Sequence, residues 1–127
     1  MLRWSTATHH ALYGPTGFYT TQQPAAHFRT SSQAAPFAAG IAAFVRRIDA
    51  QLGHPDPFTI VDVGAGDGGL LARITEQDDL NGRLRPVAVE LRPRPEALGE
   101  PIEWRAAPPN QVAGVILACE WLDNVPV

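Results

Sequence analysis

The segment Phe58-Thr-Ile-Val-Asp-Val-Gly-Ala-Gly-Asp-Gly-Gly-Leu-Leu71 decides how the chain is read. Phe58 to Val63 is a short β-branched and aromatic run, the composition of a buried strand, and Gly64 ends it. From Gly69 onward Leu70, Leu71 and Ile74 recur at helical spacing. The pattern is strand, glycine turn, helix. Gly64, Gly66 and Gly68 admit positive φ and let a bound molecule come within contact distance of the main chain, which a Cβ would prevent. Gly64, Ala65, Gly66 and Gly68 are therefore expected to line a small-molecule cofactor site.

Gly64, Gly66 and Gly69 also spell the GxGxxG fingerprint of dinucleotide-binding domains, a weak signal by itself. Two acids discriminate. A dinucleotide rests its pyrophosphate on the N-terminus of the following helix, where free N–H groups and the helix dipole favour negative charge. Asp67 already stands at that helix start, and Asp62 lies on the strand just before the turn. Both oppose a diphosphate. Both suit S-adenosylmethionine, which has no phosphate and carries an ammonium and a sulfonium. The competing reading makes Asp67 a helix cap and Asp62 a hydrogen-bonded strand-end residue.

The strand-helix unit is followed by a polar break, Asp78-Asp-Leu-Asn-Gly82, and then by Pro86-Val-Ala-Val-Glu-Leu91, a second buried strand ending in an acid. Such a unit makes a parallel crossover. Glu90 follows Gly64 by 26 residues (90 − 64), against about 20 expected for the acid that accepts hydrogen bonds from ribose hydroxyls. The longer break accounts for the excess, and Glu90 is expected as the second cofactor contact.

Upstream, Phe37, Ile41, Phe44, Val45, Ile48 and Leu52 fall on one helical face after Pro36, with Arg46, Arg47, Asp49 and Gln51 opposite. Ser32 is a candidate cap, and Gly53, Pro55 and Pro57 stop the helix. Residues 1–35 show little helical periodicity. Turn formers such as Gly14-Pro15, Gly17 and Pro24 alternate there with Tyr13, Phe18, Tyr19 and Phe28, which predicts an ordered arm pinned by its aromatics. Downstream, the proline-rich stretch 92–101 leaves room for at most one helical turn. Ile102 to Arg105 reads as a third strand and Val112 to Cys119 as a fourth, apolar one. The fourth delivers Glu120 and Asp123 at its carboxyl end, the edge where open parallel sheets bind ligands. The expected organisation is an arm over 1–35 and an α/β domain over 36–127.

Composition bounds the rest. A length of 127 residues, 45% of them hydrophobic, suits one domain. The single Cys119 excludes an intrachain disulfide and predicts a reducing compartment. No apolar run approaches the roughly 20 residues of a membrane span, and the start lacks the apolar segment of a secretory signal. A cytoplasmic protein is expected. All ten basic residues are arginines scattered among thirteen acids, with a net charge of −3, so the basic stripe of a nucleic-acid binder is missing. The four histidines share no metal-ligand spacing, and no metal site is expected.

Four stretches in order carry a resemblance: Ala11-Leu-Tyr-Gly-Pro-Thr-Gly-Phe-Tyr19, His27-Phe-Arg-Thr-Ser31, Val61-Asp-Val-Gly-Ala-Gly-Asp-Gly68, and Ala118-Cys-Glu-Trp-Leu-Asp-Asn-Val-Pro-Val127. Together they resemble the MidA family of S-adenosylmethionine-dependent methyltransferases, whose mitochondrial members are complex I assembly factors that methylate a protein arginine. The resemblance implies a class I methyltransferase fold, a Rossmann-like three-layer sandwich. It also implies that the arm, with Tyr19, Thr30 and Ser31, folds over the cofactor cleft. Such a sheet has seven strands, and four are legible here, so a truncated member is expected. Glu120 and Asp123 would hold the acceptor, since paired carboxylates suit the forked donors of a guanidinium. Two rivals stand beside this reading: a half-domain that binds a nucleoside or a partner protein without turnover, and a dinucleotide-binding Rossmann domain.

Overall fold

Strand β1, Phe58–Val63, is the centre of a four-stranded parallel sheet. The computed structural model describes residues 1–22, 26, 27 and 29–127; Pro24 and Phe28, given roles in the arm by the sequence, lie outside them. The described chain forms two compact units, Met1–Thr30 with Glu120–Val127, and Ser31–Cys119.

The larger unit holds helix α3 (Ala35–Gln51), β1, helix α4 (Gly69–Gln77), β2 (Leu84–Val89), β3 (Glu103–Arg105) and β4 (Gly114–Leu117). The sheet order is β3-β2-β1-β4. The chain therefore steps outward from β1 through β2 to β3, then returns to the far side of β1. That reversal opens a crevice at the carboxyl ends of β1 and β4, where open α/β sheets bind ligands. Side chains alternate between the faces of the sheet. Phe58 and Ile60 of β1, Leu84 and Ala88 of β2, and Val115 and Leu117 of β4 share a core with Ala38, Ala42 and Val45 of α3 and Leu70, Leu71 and Ile74 of α4. The opposite face carries Val61, Val63, Val87 and Val89, all buried.

Several elements depart from the sequence reading. The second strand starts at Leu84 and stops before Glu90, with Pro86 inside it opposite Ile60. Proline is tolerated there because the even-numbered amides of β2 point towards β3, as Glu90 N–H does to Arg105 at 2.9 Å. Pairing with β3 begins only at Val87, so no ladder bond is lost at Pro86. The fourth strand is shorter than expected, Gly114–Leu117. Ser32 is not the cap of α3, because it lies in a 3₁₀ turn, Ser31–Gln33, and Ala34 takes the capping position.

The buried seam of α3 is Ala38, Ala42, Val45 and Asp49, one residue beside the expected stripe. Phe37, Ile41 and Ile48 flank it half-buried, whereas Phe44 and Leu52 are 45% and 51% exposed. The two alanines, small enough to let the helix backbone come close, set this rotation. It drives Asp49, expected on the solvent side, into the interior at 4% exposure. The carboxylate is tolerated because its acceptors are filled. Arg83 donates to it through both terminal nitrogens at 2.7 and 2.8 Å, His54 Nδ1 lies 2.7 Å away, and Arg83 also reaches the Pro55 carbonyl at 2.8 Å. The end of α3 is thus tied to the start of β2.

In the smaller unit, residues expected as an ordered arm with little helical periodicity form helix α1 (Trp4–Tyr13) and the single turn α2 (Phe18–Thr21). Helix α1 has no fully buried residue, so it carries no apolar period to detect. Its signal is local: no glycine or proline from Trp4 to Tyr13, then Gly14-Pro15 as a stop. Tyr13 and Tyr19 stack at 5.6 Å, and the Tyr13 hydroxyl donates to the Asn124 carbonyl at 2.9 Å.

Two consequences for stability are expected. The Arg83 hydrogen bonds, against burial and with help from His54, hold the Asp49 carboxyl well below its usual value of 3.8. An acid lowered by folding stabilises above its unfolded value and loses that contribution on acidification. Urea midpoints should therefore fall below about pH 4 in the native chain, and Asp49→Asn should lower the neutral-pH midpoint and flatten that acid limb. At Gly114, with φ of +154°, a Cβ would collide with the Thr59 backbone of β1. Gly114→Ala should cost about 1–3 kcal/mol in urea unfolding.

Candidate functional site

The turn after β1 takes the conformation its glycines permit: φ is +74° at Gly64, +64° at Gly66 and +77° at Gly68. Gly64 N–H and Ala65 N–H both donate to the Val89 carbonyl, at 2.9 and 3.3 Å, which lashes the turn to the end of β2. Ala65 is buried beneath. Gly68 precedes α4 under the Leu98 side chain, whose end would have to shift for a Cβ at 2.8 Å, and its φ of +77° disfavours any side chain there. Gly66 is the opposite case: among the described residues beyond its chain neighbours, the Arg92 guanidinium alone comes within 4 Å of the point a Cβ would occupy, at 3.9 Å.

Glu90 joins this turn directly. Its Oε2 accepts the Gly66 N–H at 3.0 Å, and Oε1 accepts the N–H groups of Leu91 and Arg92 at 2.9 and 3.1 Å. The Arg92 guanidinium lies at 3.4 Å from both oxygens. Asp67 Oδ1 accepts the Gly69 N–H at 2.9 Å, so an acid fills one of the free donors at the start of α4. Asp62, 3% exposed, lies on β1 beside Ala88 and Leu117, and its carboxylate has no hydrogen-bond donor among the described residues. Burial, reinforced by the charge of Glu90, raises its pKa from 3.8 to about 7. It is therefore not the hydrogen-bonded strand-end acid of the competing reading; nor is Asp67 the cap itself, since Gly68 takes that position and Asp67, one residue earlier, satisfies the Gly69 N–H.

Of the residues singled out in the sequence, Asp62, Gly64, Ala65, Gly66, Gly68 and Glu90 meet at one place. Ser31 lies in the 3₁₀ turn before α3, and Arg73 of α4 donates to the carbonyl of the adjacent Ser32. Thr30, Glu120 and Asp123 belong to the smaller unit. There Glu120 holds a left-handed backbone at φ +53°, uncommon for a residue with a side chain. The Asn124 amide donates to its carbonyl at 2.9 Å. Sequence reasoning missed Arg92 and Trp104, whose indole N–H donates to the Arg92 carbonyl at 2.9 Å. Both sit beyond the motif: Arg92 opens the proline-rich connection and Trp104 lies in β3 at its far side. A cleft of about 470 Å³ runs along α4 between Ala72, Thr75, Leu98 and Pro101, beside the turn. Among the described residues no cluster of His, Cys, Asp and Glu is suited to a metal, and no helix is long and apolar enough to cross a membrane.

The parallel order with a glycine turn after β1 and an acid after β2 defines a Rossmann-like α/β fold. The chain superimposes with a TM-score of 0.71 on a Burkholderia thailandensis protein described as a "likely methyl transferase", crystallised with S-adenosyl-homocysteine. The likeness covers 92% of this chain and 36% of that one at 20% identity, so the fold is what they share. No family model matches the sequence, and neither does any curated protein.

The buried acid yields a test. Between pH 3.8 and about 7 the folded chain keeps a proton on Asp62 that the unfolded chain releases. Stability should therefore fall as pH rises through that window, by up to about 4 kcal/mol, and level off above it. Asp62→Asn should remove the slope, read from urea unfolding across the same range.

Proposed function

We propose that the chain is the cofactor-binding part of an S-adenosylmethionine-dependent methyltransferase. The observation that carries this reading is the junction of Gly66 with Glu90 beside the buried Asp62, which has no hydrogen-bond donor among the described residues. The open face of Gly66 suits the close approach of a nucleoside, and Glu90 stands where a ribose acceptor is needed. Asp62 suits an ammonium, which would supply the counter-charge the protein withholds. The donor a pyrophosphate would need at Gly69 is taken by Asp67, which argues against a dinucleotide.

When bound, S-adenosylmethionine supplies an activated methyl group on sulfur for in-line displacement. The protein's part is to orient and to exclude water. Asp62, the backbone of Gly64 to Gly68 and Glu90 would hold the cofactor. The finer assignments rest on the sequence resemblance: membership of the MidA family, Thr30 and Ser31 as cofactor contacts, and a protein arginine as acceptor, held by Glu120 and Asp123. The left-handed backbone at Glu120 is the kind of local strain that gathers at functional positions.

Titration calorimetry should show binding of S-adenosyl-homocysteine and none of NADH. Glu90→Gln should weaken that binding about tenfold or more. Binding of NADH alone would return the turn to the dinucleotide class. Binding of S-adenosyl-homocysteine without methyl transfer to any arginine-bearing protein would favour the half-domain without turnover.

A further inference from the structure

Five donors converge on the Glu90 carboxylate, and they are of two kinds. The backbone N–H groups of Gly66, Leu91 and Arg92 are short, at 2.9 to 3.1 Å, and belong to the turn itself. The two contacts from Arg92 Nε and Nη2 are long, both 3.4 Å. A carboxylate offers about four acceptor positions. With three held by the main chain, the guanidinium stands over what remains, the part a ribose diol would need. The same guanidinium lies 3.9 Å from the point a Gly66 Cβ would occupy, at the open face of that residue. Arg92 thus covers both contacts of a nucleoside seat.

Its backbone is held elsewhere, because the Trp104 indole fixes the Arg92 carbonyl. The side chain, 30% exposed, is therefore free to turn about its own torsions without disturbing the turn. We infer that Arg92 is a resident occupant of the ribose position, which a nucleoside ligand displaces from Glu90 on binding. Arg92 then sets affinity by competition: the apparent dissociation constant is the intrinsic one divided by the fraction of molecules with the guanidinium swung out. This inference rests on the nucleoside reading of the site.

The test compares the native chain with Arg92→Met, which keeps an unbranched stem and loses the charge, using S-adenosyl-homocysteine in calorimetry and stopped-flow fluorescence. A partly exposed ion pair of this length predicts about two- to fivefold tighter binding in the variant, carried by faster association. Added salt should tighten binding to the native chain and leave the variant unaffected. Should Arg92→Met fail to fold, Arg92→Lys, which loses the forked geometry, should show a smaller gain of the same sign. Binding to the native chain with equal or weaker binding to the variants would overturn the competition and leave the nucleoside reading intact. Absence of binding to every form would overturn both.

Discussion

The hydrogen bond from Gly66 N–H to Glu90 is the constraint on which the site depends. It closes the loop between two adjacent parallel strands at their carboxyl ends, where the sheet offers no further ladder. A left-handed backbone at Gly66 aims that N–H at β2, and an acid one residue past β2 receives it. The two bonds from Gly64 and Ala65 to the Val89 carbonyl lie directly beneath. Remove the acid and the turn keeps its lashings but loses the charge that orients its outermost amide.

Electrostatics around the turn follow one logic. Asp67 satisfies the first amide of α4 from within, so the helix terminus has less to offer an outside anion. Asp62 is 3% exposed and has no hydrogen-bond donor among the described residues, and the like charge of Glu90 deepens the penalty of burial. A site that keeps one acid uncompensated is better matched to a cation than to a phosphate. Asp49 shows the other way to bury a carboxylate, with Arg83 and His54 supplying donors on two sides. One acid is finished as structure, and the other is left open.

How much of this was legible depended on whether a residue's role is local. The strand β1, the left-handed glycines and the start of α4 at Gly69 were all readable, because each follows from φ preferences and spacing within a dozen residues. The meeting of Glu90 with the turn was readable because a crossover fixes where the next strand ends. The seam of α3 was not: large apolar residues suggested Phe44 and Leu52 as core, but alanines allow the closest approach and decided the rotation. Helix α1 escaped notice because it buries no residue fully and so carries no apolar stripe. Arg92 and Trp104 were invisible because their contact joins the start of an irregular proline-rich connection to a side chain of β3 twelve residues on, which no period predicts.

That contact also makes the molecule its own optical gauge. Of the three tryptophans, Trp4 is largely exposed, whereas the Trp104 indole is hydrogen-bonded to the carbonyl of the residue that touches Glu90. Indole emission responds to the polarity and hydrogen bonding around the ring, so rearrangement of the 92–104 connection would be written into its colour. With the other two indoles replaced by phenylalanine, the chain would report the state of its glycine turn without any attached dye.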